Sequence, residues 1–308
     1  MGRIIAAGHL NWDVTLRVTA LPDPDGEAQI TEQHRAGGGS AANVASALAG
    51  FDLAAGLIGS VGTDQHGRMA TRELRTQGVD TDGVVTVEGE TTVKYIVVDE
   101  AGEVMVLAND GVNEAIGPEA VESAMVEGAD HVHLTGQRPD TAAALIEVAN
   151  AAGLTVSFDP GRRIEQRAFE PLLDQVDVLL LNEREATAVF PAASGPPIER
   201  AASPDRVIVV KRGADGASVY TGREAHHHPG YDVEAVDTTG AGDAFAAGFL
   251  AATVGGESFE QPSSGAEPDY ERALAVANGS GALTVQAAGA RSAPSRAALA
   301  AFLAERAD

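Results

Sequence analysis

Short apolar runs bounded by Gly, Asp or Asn recur along this chain at residues 3–7, 54–58, 131–134, 154–158, 178–181 and 207–210. Runs of that length without polar alternation suit strands buried on both faces. Between them, residues 41–49, 67–76, 118–125, 141–151 and 183–189 carry small or aliphatic side chains three and four apart, the spacing of one helix face. Strands alternating with helices leave few solutions, and the simplest is a parallel sheet covered by helices on both sides. The periodicity therefore predicts a doubly wound α/β fold. A chain of 308 residues can bury such a core without disulfide or metal support.

Two segments break that rhythm. Residues 14–35 and 84–108, the second with Thr92, Lys94, Ile96 and Val98 in alternation and a turn at 99–102, read as antiparallel strands and a hairpin. They predict a small β lid inserted discontinuously into one domain spanning 1–308, an arrangement that closes a cleft against water. Residues 257–269, rich in Ser, Pro, Gly and acid, read as an exposed loop between two helices.

Forty-five acidic residues stand against 21 basic ones, a formal charge of −24, and only Lys94 and Lys211 are lysines. So negative a field repels polyanions, whose binding needs clustered Lys and Arg, which argues against nucleic acid as a partner. The acidity reads instead as adaptation to salt, because at molar ionic strength the Debye length falls to ~3 Å and surface carboxylates stop repelling one another. The absence of cysteine rules out disulfides, thiolate metal sites and thiol nucleophiles. The longest uncharged run, 273–290, holds Asn278, Ser280, Thr284 and Gln286 and is too polar to span a bilayer. The N-terminal stretch reaches Asp13 without a long apolar core, so no signal peptide or membrane association is expected and the expected location is the cytoplasm.

The densest chemical signal is VDTTGAGDAFAAGFL at 236–250. A turn with two glycines runs directly into an apolar helix, so the amides of Gly240, Ala241 and Gly242 are expected to stand free at a helix N-terminus and bind one anion. Asp243 in the first turn can accept a hydroxyl proton while that nest neutralises a transferring phosphoryl group. The alternative is a tight turn and an acid that merely suits the helix dipole. A second glycine-led helix, GGGSAAN at 37–43, satisfies G-x-G-x-x-A through Gly37, Gly39 and Ala42. A dinucleotide fingerprint would follow the first strand and precede an acid by about 20 residues, whereas this one follows residues 33–35 and meets Asp52 ten residues after Ala42. A nicotinamide-dependent dehydrogenase is thereby disfavoured, and without any Gly-Lys pair a Walker A loop is excluded.

Together with GHLNWD at 8–13, IGSVGTD at 58–64, FDPGRR at 158–163, NERE at 182–185, VKRGADG at 210–216 and ANGSGA at 277–282, these segments resemble the PfkB (ribokinase-like) carbohydrate kinases over nearly the whole chain. The resemblance implies a ribokinase-like three-layer α/β/α sandwich with a mostly parallel sheet and a β lid. It implies transfer of the ATP γ-phosphoryl group to a sugar or nucleoside hydroxyl, with Asp243 as catalytic base and Gly240, Ala241 and Gly242 as anion hole. Asn11, Asp13, Gly38, Gly39 and Asn43 match sugar-hydroxyl positions. Asn182 and Glu185 match residues that order Mg2+ and the phosphates, through water. Lys211, Gly213, Gly216 and Asn278 match nucleotide positions, and Asp237 and Thr239, with carbonyls near Ala288, resemble a K+ site of some members.

Ribose-specific members usually carry a lysine where this chain has Ser40, so ribose itself is not implied. Lys94 on a lid strand, joined by Arg138 and Arg163, would make a cationic pocket for carboxylate or phosphate. The alternative has Lys94 snorkelling outward and the arginines pairing with surface acids. A keto-deoxy sugar acid, a pentose 1-phosphate and a fructose phosphate therefore stand beside neutral sugars and nucleosides as acceptors. A nucleoside kinase and a non-catalytic sugar or nucleotide sensor are the competing readings. The resemblance also implies a homodimer through lid strands, since an exposed sheet edge invites pairing. The histidines at 226–228 read as surface, and His131 and His133 as a hydrogen-bonded core pair rather than a metal site. Trp12 is expected to point away from Asn11 and Asp13 into packing.

Overall fold

The computed structural model describes residues 2–190, 206–255, 268–287, 289, 291 and 293–306. Among them the apolar runs form one sheet. β1 (Arg3–Ala7) pairs in parallel with β4 (Ala54–Gly62) on one side and β8 (His131–Thr135) on the other. From β4 the sheet continues to β5 (Val84–Val87), and from β8 to β9 (Thr155–Asp159), β10 (Val178–Asn182) and β11 (Val207–Lys211), all parallel. The antiparallel strands β12 (Ala217–Tyr220) and β13 (Ala225–His228) finish one edge, giving the order β13-β12-β11-β10-β9-β8-β1-β4-β5.

Successive side chains alternate across this sheet and feed two cores. Ile4, Ala6, Leu180 and Val209 meet α1 (Ser40–Gly50), α6 (Ala241–Val254) and α7 (Tyr270–Thr284), with Leu299 of α8 (Arg296–Ala304) behind them. Ile5, Ala7, Val132, Leu134, Leu179 and Leu181 meet α3 (Pro139–Ala151), α4 (Glu170–Leu173) and the start of α5 (Glu183–Val189). Each large aliphatic chain buried this way contributes roughly 1.5–3 kcal/mol. Hence the expected three layers form. His131 and His133 sit within the sheet as fully buried neutral imidazoles, held below the ordinary histidine range by burial, at about 3 and about 4. Ser157 serves both rings at 2.7 Å and Thr155 takes the other nitrogen of His131, so this pair belongs to the core. Trp12 is buried and stacks on His66 with ring centroids 6.2 Å apart.

Two expectations are corrected. Residues 118–125 do not form an α-helix but two short 3-10 turns, Pro118–Ala120 and Ser123–Val126, with Val121 and Glu122 extended between them. The extended backbone at Val121 and Glu122 breaks the helix, and the break lets Val126 bury while Val121 and Met125 lean on the same core. The lid is also differently bounded. β2 (Asn11–Val18), β3 (Ile30–Gly38), β6 (Val93–Val98) and β7 (Val104–Ala108) form a separate four-stranded sheet in the order β3-β2-β6-β7. Residues 84–87 belong to the main sheet, because the crossover through α2 (Gln65–Thr76) returns the chain parallel to β4. The β2–β3 and β6–β7 pairs are antiparallel, yet β2 and β6 run parallel. The Trp12 amide donates to the Thr92 carbonyl at 2.9 Å, so the two strands start side by side and run the same way. Of the loop expected at 257–269, residues 257–267 lie outside the described residues. Among the described residues no helix is long and apolar enough to cross a membrane.

Candidate active site

β8, β9, β10 and β11 end on Thr135, Asp159, Asn182 and Lys211. Alternation places all four on the face covered by α1 and α6, and the register pairs Thr135 with Asp159 and Asn182 with Lys211. Polar side chains at the carboxyl ends of adjacent parallel strands face the crevice where open α/β sheets bind ligands. Here Lys211 Nζ donates to the Asp159 carboxylate. The N-terminus of α6 enters the same crevice. Its cap, Gly240, takes φ 79°, a conformation that favours glycine, and a Cβ built on Gly242 would lie 3.7 Å from Lys211 Nζ. One detail departs from expectation: the Ala241 amide donates to the Thr238 carbonyl at 3.3 Å, because the turn closes on itself. The open nest therefore centres on Gly240 and Gly242 beside the lysine.

Asp243 follows at once, on the first turn of α6. Asn43 Nδ2 donates to its Oδ2 at 2.7 Å. Burial lifts its carboxyl to about 6, against the Asn43 hydrogen bond; Asp159 pushes it further up while Lys211 and Ser40 pull it down. A carboxylate tuned close to neutrality is ionised at pH 7 yet has useful proton affinity. A cavity of about 1750 Å³ runs past it between the sheet and the lid, from Asp13 and Lys94 to Asn182, Glu185 and Lys211.

At the lid end the glycines allow backbone and carboxylate to touch. A Cβ on Gly38 would fall 2.1 Å from Asp13 Oδ2, and one on Gly39, whose φ is 96°, would fall 2.3 Å from the His9 carbonyl. Burial raises the Asp13 carboxyl, and the positive charges of Lys94 and Arg291 work against it. Asn11 is fully buried, its Oδ1 accepting from Asn113 Nδ2, so it backs the cavity wall rather than lining it. Asn11 Nδ2 and Asp13 Oδ1 are buried without partners. One open donor and one open acceptor are the complement of a hydroxyl group.

The three expected cations reach the cavity in different states. Lys94 stands opposite Asp13 in the β2–β6 register and makes no ion pair among the described residues. Arg138 is paired with Asp140. Arg163 lies 3.4 Å from Glu114 and 3.8 Å from Asp110. Glu114 also takes His9 Nε2 at 2.9 Å and Arg167 at 2.8 Å. Burial would raise Glu114, but the hydrogen bonds and charges of His9 and Arg167 hold it at about 2.

At the nucleotide end Asn182 and Glu185 form a capping box on α5: Asn182 Oδ1 accepts from the Glu185 amide at 2.9 Å and Glu185 Oε2 from the Asn182 amide at 2.8 Å. Burial, and then Asp159, push the Glu185 carboxyl up. Gly213 and Gly216, at φ 59° and 75°, make the turn after β11. Asn278 is buried in α7 and its amide donates to the Leu274 carbonyl at 2.8 Å, the nearest acceptor, one turn back, for an interior helix asparagine. Asp237 accepts from the Thr239 amide at 2.9 Å and the Gly289 amide at 3.0 Å. Ala288 lies outside the described residues. Among the described residues no three metal-ligating side chains converge. Such a donor set fits a hydrated Mg2+ carried by phosphates and does not fit a dry protein cage.

Asp159, His9, Glu114, Arg167 and Arg291 escaped the sequence reading. Asp159 alone had a usable signal, as the terminal residue of a buried apolar run beside others ending in Asn182 and Lys211. The remaining four act through contacts made only after folding.

The sequence matches the pfkB family carbohydrate kinases over residues 1–297. It is 55% identical, over 311 aligned positions covering the whole of both chains, to a protein of Halopiger xanaduensis named ATP-dependent ribose-1-phosphate kinase. Ribokinase from Arabidopsis thaliana, solved with ribose and ATP, superposes with a TM-score of 0.84 at 25% identity, covering 98% of this chain and 99% of its own. Ribokinase from Thermotoga maritima gives a TM-score of 0.84 at 25% identity, covering 99% of this chain and 100% of its own. The expected ribokinase-like sandwich is therefore the fold, and the activity is that of a phosphotransferase with an alcohol acceptor, moving phosphoryl from ATP to a hydroxyl of a sugar or sugar derivative. The chain belongs to the pfkB family of carbohydrate kinases.

Proposed function

We propose that the acceptor is a pentose 1-phosphate, ribose 1-phosphate first, phosphorylated on the hydroxyl presented to Asp243. The observation that carries this reading is Lys94: one of two lysines in a chain of charge −24, it faces the cavity beside Asp13 without an ion pair among the described residues. An unpaired ammonium over a sugar site suits a substrate anion. The name of the Halopiger relative supports the same choice. Arg138 and Arg163 supply further donors at the rim once the phosphate competes with their carboxylate partners.

In this reading Asp13 holds the sugar hydroxyls, Gly38 and Gly39 let the backbone close on it, and the buried Asn11 and Asn43 support that wall from behind. Asp243 takes the proton, and Gly240, Gly242 and Lys211 meet the charge developing on the phosphoryl group, with catalysis resting on positioning and electrostatics. Mg2+ would come with ATP and neutralise phosphate charge, Asn182 and Glu185 holding its water shell. Gly213 and Gly216 shape the nucleotide turn. K+ at Asp237 and Thr239, a cytoplasmic location beside the ATP supply, and a homodimer through the lid belong to the same proposal. Val104, Met105, Val106 and Leu107 are all exposed on edge strand β7, which invites pairing with a second copy; sedimentation at the 31.5 kDa chain mass at micromolar concentration would remove the dimer.

The test is ADP release with Mg-ATP in high salt against ribose 1-phosphate, ribose, fructose 6-phosphate, 2-keto-3-deoxygluconate and adenosine, with K+ or choline as cation. Ribose 1-phosphate is expected to give the highest kcat/KM. Lys94→Met should raise its KM about tenfold, roughly the 1.4 kcal/mol of one charged contact, and leave the ATP KM within twofold. Preference for a neutral acceptor, or an unchanged KM in the Lys94 variant, would overturn the assignment.

A further inference from the structure

Arg291 follows α7 in the chain, far from the segments that mark the active site, yet its side chain is only 3% exposed. Its guanidinium reaches three separate pieces of the cleft. Nη1 pairs with Glu73 Oε1 at 3.0 Å, Nη2 donates to the Gly38 carbonyl at 3.1 Å, and Nε donates to Asn43 Oδ1 at 3.4 Å. Glu73 in turn accepts from the Gly37 amide at 3.1 Å. The fit depends on a missing side chain, since a Cβ on Gly37 would lie 1.9 Å from Arg291 Nη1. Among the described residues its one ion-pair partner is Glu73, with Asp13 acting on it at longer range; a buried guanidinium so lightly compensated is expensive to retain, which asks what else it does.

The answer lies in the amide of Asn43, which stands between a cation and an anion. Its Oδ1 faces Arg291 and its Nδ2 faces Asp243. Turned by 180°, it would set Oδ1 against the carboxylate and Nδ2 against the guanidinium, repulsive on both sides. We infer that Arg291 is a positioning residue for catalysis: it fixes the Asn43 amide in the one orientation that donates to Asp243, and so holds the base ionised and aimed. This rests on Asp243 being the base.

Asp243 has other neighbours, and none of them fixes that amide. Ser40 on α1 hydrogen-bonds to it, Asp159 on β9 raises its proton affinity, Lys211 on β11 lowers it, and Glu185 on α5 acts on it by way of Lys211. None of the four is a contact of Arg291, whose partners are Glu73, Gly38 and Asn43. With Arg291 gone, Asn43 is free to flip, and the carboxylate loses a donor.

The experiment compares Arg291→Met, Arg291→Lys, Asn43→Ala and the Arg291→Met/Asn43→Ala double variant. The Asp243 titration is read directly by 13C NMR of labelled aspartate, with Asp243→Asn identifying the resonance, and the acid limb of kcat is read with ribose 1-phosphate and Mg-ATP. Arg291→Met is expected to raise the Asp243 midpoint by about one pH unit, the tenfold effect of one lost charge-assisted hydrogen bond, and to lower kcat about tenfold with the ATP KM within twofold. Asn43→Ala should give the same shift, and the double variant no more than either, as a single relay requires. Arg291→Lys keeps the cation on Glu73 but lacks the three-pronged fork, so it should shift the titration even where Arg291→Met does not fold. Shifts that add in the double variant, or an unmoved Asp243 titration in Arg291→Lys, would overturn the relay. The NMR arm needs no substrate, so failure of ribose 1-phosphate to react leaves it standing as a test.

Discussion

Asp243 carries the heaviest demand of any single residue, and its chemistry makes two opposed predictions. Replacing it by asparagine keeps the shape and the Asn43 contact but removes the proton acceptor. Turnover should fall by about 10²–10⁴, the usual worth of a general base, with ATP affinity by calorimetry within threefold of wild type. The same change should stabilise the protein. The folded-state midpoint of about 6 lies above the 3.8 of a freely solvated aspartate, so the folded state binds more protons between those values. Ionised Asp243 therefore opposes folding above pH 6, by about 1–3 kcal/mol, and that burden is relieved as pH falls towards 4. Calorimetric melting of the Asp243→Asn variant should give a Tm several degrees higher at pH 8 and no gain at pH 4. Equal Tm values at pH 8 would mean that the carboxylate is well solvated and its tuning overstated. Activity of the native enzyme should fall as pH drops through 6, as its base takes up a proton.

The helix that delivers this residue is held by small side chains. From Ala244 to Ala252 α6 is buried all round, and a Cβ on Gly248 would fall 2.5 Å from Ser280 Oγ and 3.1 Å from the Ala277 backbone. Gly248→Ala gains about 1 kcal/mol of helix propensity but must push α6 and α7 apart, at roughly 1–3 kcal/mol. The expected result is a Tm lower by several degrees and a kcat lower by about tenfold, because the displaced helix carries Asp243. A variant as stable and active as wild type would show that the two helices slide freely. Elements of this kind were legible in the sequence where one rule governed them. Buried strands announce themselves as apolar runs, and the glycines at 37–39, 240 and 242 mark the two helix entrances. Pairing direction was not legible, since alternation fixes which face a side chain takes and not which way the neighbouring strand runs; the parallel β2–β6 pair is the case in point. Arg291 was invisible for a related reason. Its partners Glu73 and Asn43 lie 218 and 248 residues away, and no local pattern encodes a contact at that range.

At the scale of the whole molecule the dominant fact is charge. Both lysines sit in the cleft, and several arginines pair with acids there or at the surface, so little positive charge is left to offset the rest of the 45 acidic residues, and the chain's net charge is −24. At 0.01 M salt the Debye length is about 30 Å, and every surface carboxylate feels the others across the molecule; at 1 M it is about 3 Å and only touching pairs interact. Aromatic residues make up only 4% of the chain, so the cores rely on alanine, valine and leucine, and modest burial must outweigh the repulsion. Circular dichroism melts should therefore show Tm rising by more than 15 °C between 0.1 and 3 M KCl. Salt also strengthens apolar burial, and pH separates the two causes. In the Asp243→Asn variant, which lacks the buried carboxyl's own pH response, lowering pH from 8 to 5 at 0.1 M KCl begins to protonate surface carboxylates without altering salt-driven hydrophobic burial, so repulsion predicts partial recovery of Tm there and almost none at 3 M KCl. A Tm indifferent to pH at low salt would assign the stabilisation to burial, and a Tm indifferent to salt altogether would make the acidic surface a matter of solubility alone.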